Sequence, residues 1–205
     1  MHSKSYRFLT PLIMVLTWAN MEAQTSHPVP RLVVNVTIDQ LRTDYMEAFS
    51  SLFGAGGFNK VMRDGRSYMD AAYPFSHIDR ASAVACIMTG TVPYDNGIVG
   101  EHWMDRKTLR PMYCVDDATC EGWLTSEKYS PVALNVSTVT DELKMATGGR
   151  ALVYSIAPDA DAAILAAGHA ADGAFWIDNA SGQWSSTSYS VSYTHLRAHE
   201  TELHL

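Results

Sequence analysis

The apolar run at residues 32–38, Leu-Val-Val-Asn-Val-Thr-Ile, constrains the fold of this chain most strongly. It is rich in β-branched residues and almost continuously apolar, which is typical of a strand buried on both faces of a parallel sheet. Further strands are predicted over residues 67–73, 151–156 and 174–177, and a hairpin over residues 103–115. Helices are predicted over residues 41–53, 58–64, 79–89, 137–147 and 159–167. This alternation predicts an α/β fold with a largely parallel sheet.

The two ends of the chain differ from the segment between them. Residues 1–23 have the features of a secretory signal peptide, namely Lys4 and Arg7, a short apolar run, and small residues up to Ala23. The apolar run is too short for a stable membrane anchor, so we expect a periplasmic or secreted protein. Residues 190–205 have no helical or strand period, and they resemble the translation of a transposase-based sequencing adaptor rather than a metal-binding histidine tail. The folded domain is therefore expected within residues 24–189.

Composition narrows the classes of function. The chain has 22 acidic and 15 basic residues and a formal net charge of -7, which gives no support for binding to nucleic acid or to an anionic membrane surface. Its 47% of apolar residues excludes a disordered chain. Cys114 and Cys120 are close in sequence, and both a disulfide, which export would allow, and two unpaired thiols are consistent with this spacing. The composition leaves the oligomeric state open.

Asp39 is the first candidate site residue. It follows the predicted strand of residues 32–38, and α/β folds bind ligands at the carboxyl ends of their strands. The alternative interpretation is that Asp39 caps the helix predicted to begin near Leu41.

Four segments of the chain, in the same order, resemble those of a known family. They are VTIDQLRTDY at residues 36–45, TGTVPYDNGIVG at 89–100, WMD at 103–105 and AGHAADGAFW at 167–176. Together they resemble the alkaline phosphatase superfamily, and within it the type I phosphodiesterase/nucleotide pyrophosphatase branch. The resemblance covers nearly all of residues 31–189. His169, within the last segment, is not a ligand in that family, so we interpret it as a structural hydrogen-bonding residue.

The resemblance implies a fold and a chemistry. The fold would be a three-layer α/β sandwich with a mostly parallel central sheet. We expect it to be truncated here, since the family's remaining metal ligands lie in a later part of the chain that this sequence lacks. The activity would be hydrolysis of phosphate esters or diesters of a small phosphorylated substrate by two zinc ions, with Asp39 as one zinc ligand. We expect the 205-residue chain alone to be inactive.

One departure from the family pattern concerns the nucleophile. The family's nucleophile lies nine positions before the residue that corresponds to Thr89, and Arg80 occupies that position here. Arg80 could bind an anion or pair with an acidic residue such as Asp79. Ser82 carries a hydroxyl near the start of the same predicted helix, and it is either a displaced nucleophile or a buried or capping residue.

The other departures concern the phosphate-binding residues. Glu101 stands where the monoesterase branch has a phosphate-contacting Asn, and Asp159 and Asp161 stand where it has Lys and Arg. The positive charge that would stabilise a phosphate monoester dianion is therefore missing, which argues against simple alkaline phosphatase activity. The alternative function is a catalytically impaired family member that acts as an exported binding or accessory protein.

Overall fold

The computed structural model describes residues 31–190. The elements described below all lie within residues 35–190, in one compact unit of the chain. The signal peptide predicted over residues 1–23 lies outside the described residues, as do all but the first residue of the segment 190–205. No helix within residues 31–190 is long and apolar enough to cross a membrane.

The strand predicted over residues 32–38 is not formed, and this prediction was wrong. These residues have no assigned secondary structure, and Val36 is 73% exposed. A strand buried on both faces needs paired neighbours, and none of the strands in the described part of the chain pairs with this segment. The strand predicted over residues 67–73 is absent for the same reason.

Short helices follow. They are α1 (Thr43–Ala48), a 3₁₀ turn (Ser50–Leu52) and α2 (Gly57–Asp64), all without buried residues. The prediction of a single helix over residues 41–53 is therefore only partly correct, whereas α2 matches its predicted range closely.

Two further helices lead into the packed part of the domain. Helix α3 (Arg80–Thr89) begins after the capping residue Asp79 and ends at Gly90, whose φ of 69° favours glycine. Helix α4 (Pro93–Asn96) has proline in its first turn, where the missing N–H costs nothing.

Within residues 31–190, the strands form two small sheets. The predicted hairpin is confirmed: β1 (His102–Met104) and β2 (Pro111–Tyr113) pair antiparallel, with Trp103 opposite Met112. The second sheet has four strands in the order β3-β6-β5-β4. Its members are β3 (Gly122–Trp123), β4 (Tyr154–Ile156), β5 (Gly173–Ile177) and β6 (Trp184–Thr187).

The larger sheet is mixed. Strands β4 and β5 are parallel, with Ser155 opposite Ala174, while β6 pairs antiparallel with both β5 and β3. The parallel pair is connected through helix α6 (Ala160–Ala167), as a βαβ unit requires, and helix α5 (Val139–Ala146) precedes β4. The α/β class predicted from the sequence is therefore confirmed.

The core lies where α3, α6 and β5 meet. Small residues such as Ala81, Ala85 and Ala163 are completely buried there and allow the two helices to approach closely. Ile164 and Trp176 fill the remaining space. This packing brings the first turn of α3 next to the first turn of α6, and the candidate site lies at that position.

Candidate functional site

Arg80, the first residue of α3, is surrounded by carboxylates. Its Nε lies 3.1 and 3.0 Å from Oδ1 and Oδ2 of Asp161, and its Nη2 lies 3.0 Å from Oδ1. Its Nη1 is 3.0 Å from Oδ2 of Asp159, and Nη2 is 3.5 Å from Oε1 of Glu101. We call these four residues the Arg80 cluster. All four were identified from the sequence as departures from the family pattern, and the structure brings all four together.

Helix α6 positions two of the acids. Asp159 is the N-cap residue of α6, and Asp161 lies in its first turn, where a negative charge is stabilised by the helix dipole. Asp161 is completely buried, and its backbone N–H donates to Oη of Tyr113 at 3.2 Å. The cluster is therefore anchored from α6 and from the β1–β2 hairpin.

Asp79 positions Arg80 and Glu101 relative to each other. Its Oδ1 accepts from the backbone N–H of Ser82 at 2.9 Å, and its Oδ2 accepts from the backbone N–H of Glu101 at 2.6 Å. A Cβ on Gly100 would lie only 3.0 Å from Asp79 Oδ2, so glycine permits this close approach. The pKa of Asp79 is lowered because, although burial raises it, these backbone donors lower it more.

Ser82 is completely buried within the same cap. Its Oγ donates to Oδ1 of Asp79 at 2.8 Å and accepts from the backbone N–H of Asp79 at 3.0 Å, which completes a capping box. This geometry supports the capping interpretation. The role of Ser82 as a displaced nucleophile stays a prediction.

The Arg80 cluster carries more negative than positive charge. One guanidinium faces three carboxylates, a formal net charge of -2 for these four side chains. Burial lowers the pKa of Arg80, but the hydrogen bond to Asp161 and the charges of Asp161, Asp159 and Glu101 raise it more, so the guanidinium stays charged. The pKa of Tyr113 is raised by burial and by the charge of Asp161.

Asp39 stands apart from the Arg80 cluster. It lies in a turn, is exposed, and makes no hydrogen bond or ion pair with the cluster among the described residues. Within residues 31–190, no three His, Cys, Asp or Glu side chains form a group suited to a metal ion. The described residues therefore include no complete metal site, and Asp39 is at most one ligand of such a site.

Three site features were not predicted from the sequence. Asp79 was considered only as a partner of Arg80, although its spacing of three from Ser82 is a helix-start signal that indicates its capping role. The contact of Tyr113 with Asp161 has no local signal because 48 positions separate the two residues. The ring of His102 stacks on Tyr113 with centroids 4.8 Å apart, which places this imidazole at the edge of the site.

His169 matches its interpretation as a structural residue. Its Nδ1 lies 2.9 Å from Oδ2 of Asp141, and its Nε2 lies 3.0 Å from the backbone oxygen of Leu134. Asp141 also accepts from the backbone N–H of Ala170 at 2.9 Å. This network ties the start of α5 to the loop after α6.

Comparison with known proteins identifies related sequences. A family model described as type I phosphodiesterase/nucleotide pyrophosphatase matches residues 33–203. Alkaline phosphatase PhoV of Synechococcus elongatus is 41% identical over 164 residues, which cover 78% of this chain and 30% of that protein. Alkaline phosphatase PafA of Elizabethkingia meningoseptica is 32% identical over 187 residues, which cover 89% of this chain and 34% of that protein. The chain thus spans about a third of the length of these relatives.

Solved structures show the same similarity. The crystal structure of wild-type alkaline phosphatase PafA matches with a TM-score of 0.72 at 29% identity, covering 86% of this chain and 35% of that chain. A PafA variant in which one Thr, one Asn, one Lys and one Arg are replaced matches with a TM-score of 0.71 at 31% identity, over the same shares. The Thr and Asn of that variant are as far apart in sequence as Arg80 and Glu101, and the Lys and Arg as far apart as Asp159 and Asp161.

Proposed function

The chain belongs to the type I phosphodiesterase/nucleotide pyrophosphatase family, and from this premise we propose that the whole protein hydrolyses phosphate esters or diesters. The observation that carries the proposal is the family match over residues 33–203. Sequence identities of 41% and 32% to two alkaline phosphatases add to its support. The substrate would be a small phosphorylated molecule, and we do not expect the protein to bind nucleic acid.

We propose that the activity depends on a metal centre with two zinc ions, to which Asp39 contributes a ligand. Asp39 is an exposed carboxylate, and carboxylate oxygen is a good ligand for Zn²⁺. The other ligands would come from outside the described residues, since residues 31–190 contain no group of three candidate ligands. When bound, such ions stabilise the charge on the attacking and leaving oxygens of a phosphoryl transfer.

The test is made on the protein expressed from the complete gene. Zinc content and turnover of an aryl phosphate monoester and a bis-aryl phosphate diester are measured for the wild type and for Asp39→Ala. We expect the variant to lose bound zinc and at least about 100-fold in turnover. Asp44→Ala is the matched control, because Asp44 is an exposed acid five positions away that pairs with Arg42. Equal zinc content in the wild type and Asp39→Ala would reject the ligand assignment.

Ser82 as the nucleophile needs a separate test. A nucleophilic role predicts that Ser82→Ala abolishes both turnover and the covalent phosphoenzyme. A capping role predicts a lower melting temperature, with turnover falling only in proportion to the folded fraction. The buried capping box supports the second outcome.

The second candidate function, a catalytically impaired binding or accessory protein, is favoured by the Arg80 cluster. The position of the family nucleophile holds a guanidinium, and all three of its nitrogens face carboxylates. A folded, zinc-loaded whole protein that turns over neither ester would support this function over hydrolysis.

We also propose that the protein is exported to the periplasm or secreted, with residues 1–23 removed. Support comes from the basic start, short apolar run and small residues of this segment. N-terminal sequencing of the protein recovered from the periplasm and the medium should begin at Gln24. Recovery only from the cytoplasm, with residues 1–23 intact, would contradict export.

A further inference from the structure

We propose that the Arg80 cluster is a closed ion-pair network that excludes phosphate dianions, so that the protein discriminates against phosphate monoesters in favour of diesters. The exclusion of dianions concerns binding and holds whether or not the protein is catalytic. The preference for diesters rests on the proposed hydrolase function.

Each of the three guanidinium nitrogens of Arg80 already faces a carboxylate. Nε and Nη2 contact Asp161, Nη1 contacts Asp159, and Nη2 also faces Glu101, all within 3.5 Å. A phosphate oxygen could reach the guanidinium only by displacing one of these carboxylates. Arg80 therefore pairs with its neighbouring carboxylates rather than acting as an anion ligand, although arginine is well suited to bind phosphate.

An incoming anion meets negative charge at the Arg80 cluster. The cluster has a formal charge of -2, and two of its carboxylates, on Glu101 and Asp159, are 38% and 39% exposed. These are the groups that a ligand entering from solvent would approach. A monoester carries up to two negative charges at neutral pH and a diester only one, so repulsion by these carboxylates is larger for the monoester.

The ion-pair network of the Arg80 cluster is anchored in the buried part of the domain. Asp161 is completely buried, and it is fixed through its own backbone N–H by Tyr113. In the ion pair of Arg42 with Asp44, by contrast, the side chains are 67% and 59% exposed. Exposed pairs of that kind open easily, whereas opening the Arg80–Asp161 pair would leave a charge buried without its partner.

The charges of the Arg80 cluster differ from those of the residues replaced in the PafA variant. The PafA variant has replacements at a Thr and an Asn that are spaced as Arg80 and Glu101 are, and at a Lys and an Arg that are spaced as Asp159 and Asp161 are. In this chain the two cations at those positions have become acids, and the hydroxyl residue has become a cation. The new cation, Arg80, forms ion pairs with the new acids at the other positions. This pairing is consistent with a changed specificity for the substrate.

The test measures binding of inorganic phosphate to the zinc-loaded whole protein by calorimetry. The variant E101Q/D159N removes the two exposed carboxylates and keeps the buried Arg80–Asp161 pair, so that the fold is preserved. We expect its dissociation constant for phosphate to fall at least about tenfold, because two negative charges next to the anion are removed. The control D70N/E121Q removes the same charge from exposed acids outside the cluster and should leave the constant unchanged.

Each outcome of the binding experiment either supports or overturns the proposed exclusion of phosphate dianions. Equal phosphate affinity in the wild type and E101Q/D159N, or an equal gain in D70N/E121Q, would overturn the proposal. If the double variant has a lowered melting temperature, Glu101→Gln alone is compared, with about a threefold gain expected as the smaller effect of one charge. Where the wild type is active, the ratio of diester to monoester kcat/KM should fall in E101Q/D159N. Inactivity toward both esters, together with a gain in phosphate affinity, would reject the hydrolase function and leave the exclusion of dianions intact.

Discussion

Arg80 and Asp161 are 81 positions apart in sequence, and the Nε of Arg80 lies 3.1 and 3.0 Å from the two carboxylate oxygens of Asp161. Asp161 has no exposed surface, while the Arg80 side chain keeps 26% of its surface exposed. Each residue lies in the first turn of its helix. The pair therefore joins the beginnings of α3 and α6, directly beside the core that the two helices share.

The first prediction concerns the stability that this pair provides. Arg80→Ala leaves the carboxylate of Asp161 buried without its main partner, and we expect the free energy of unfolding to fall by about 3 kcal/mol. Denaturant titration of the whole protein measures this. Arg42→Ala is the control, because it breaks an exposed ion pair and should cost less than about 1 kcal/mol. The apolar pair R80M/D161L should recover most of the loss, and failure to recover it would mean that packing rather than charge dominates.

The second prediction concerns Asp79. Asp79→Ala removes the acceptor for the backbone N–H of Ser82 and the acceptor for that of Glu101, so we expect a loss of about 2 kcal/mol in the free energy of unfolding. Asp79→Asn keeps one oxygen to cap α3 and should lose less. Chemical denaturation of the two variants beside the wild type gives the comparison. Equal losses in both variants would show that charge, and not the cap, is the main contribution of Asp79.

Local signals in the sequence account for the parts of the fold that were predicted. The helix α3 was predicted because Gly90 marks its end, and the hairpin because polar residues separate two short extended runs. Both depend on interactions between residues near in sequence. The apolar run of residues 32–38 indicated burial just as strongly, but pattern alone cannot show whether partner strands are present.

The candidate site was predicted in its members but not in its pairing. Arg80, Glu101, Asp159 and Asp161 were identified because each departs from the family pattern. That three of them would surround the fourth depends on the packing of α3 against α6, which no local pattern encodes. Pairing of Arg80 with an acid such as Asp79 was expected from the sequence, but Asp79 instead caps the helix.

The third prediction concerns acid pH. Hydrogen bonds from Ser130 and Thr119 lower the pKa of Asp117 from 3.8 to about 2. A carboxyl with a lowered pKa in the folded state stabilises the protein above its unfolded pKa, and this contribution is lost as the pH falls through the folded value. Stability from this group should therefore decline between about pH 4 and pH 2. Asp117→Asn should flatten this part of the profile of melting temperature against pH. Parallel profiles for the wild type and Asp117→Asn would contradict the assignment.

The fourth prediction concerns the cysteines, for which the sequence left two interpretations open. In the structure Cys114 and Cys120 are both free and buried, and the Sγ of Cys120 donates to Oδ2 of Asp117 at 3.5 Å. Burial raises the pKa of both thiols, which lowers the fraction of reactive thiolate.

We expect a thiol reagent to modify neither Cys114 nor Cys120 in the native protein, and to modify both after unfolding without reductant. Cys86 is the internal reference, because it is only half-buried and should react faster than the other two. Peptide mapping after timed labelling identifies each thiol. If Cys114 and Cys120 stay unlabelled in the unfolded, unreduced protein and become labelled once reductant is added, they are joined in a disulfide. Such a result would show that the oxidised protein differs from this structure around Asp117, since a bonded Cys120 has no thiol hydrogen to donate.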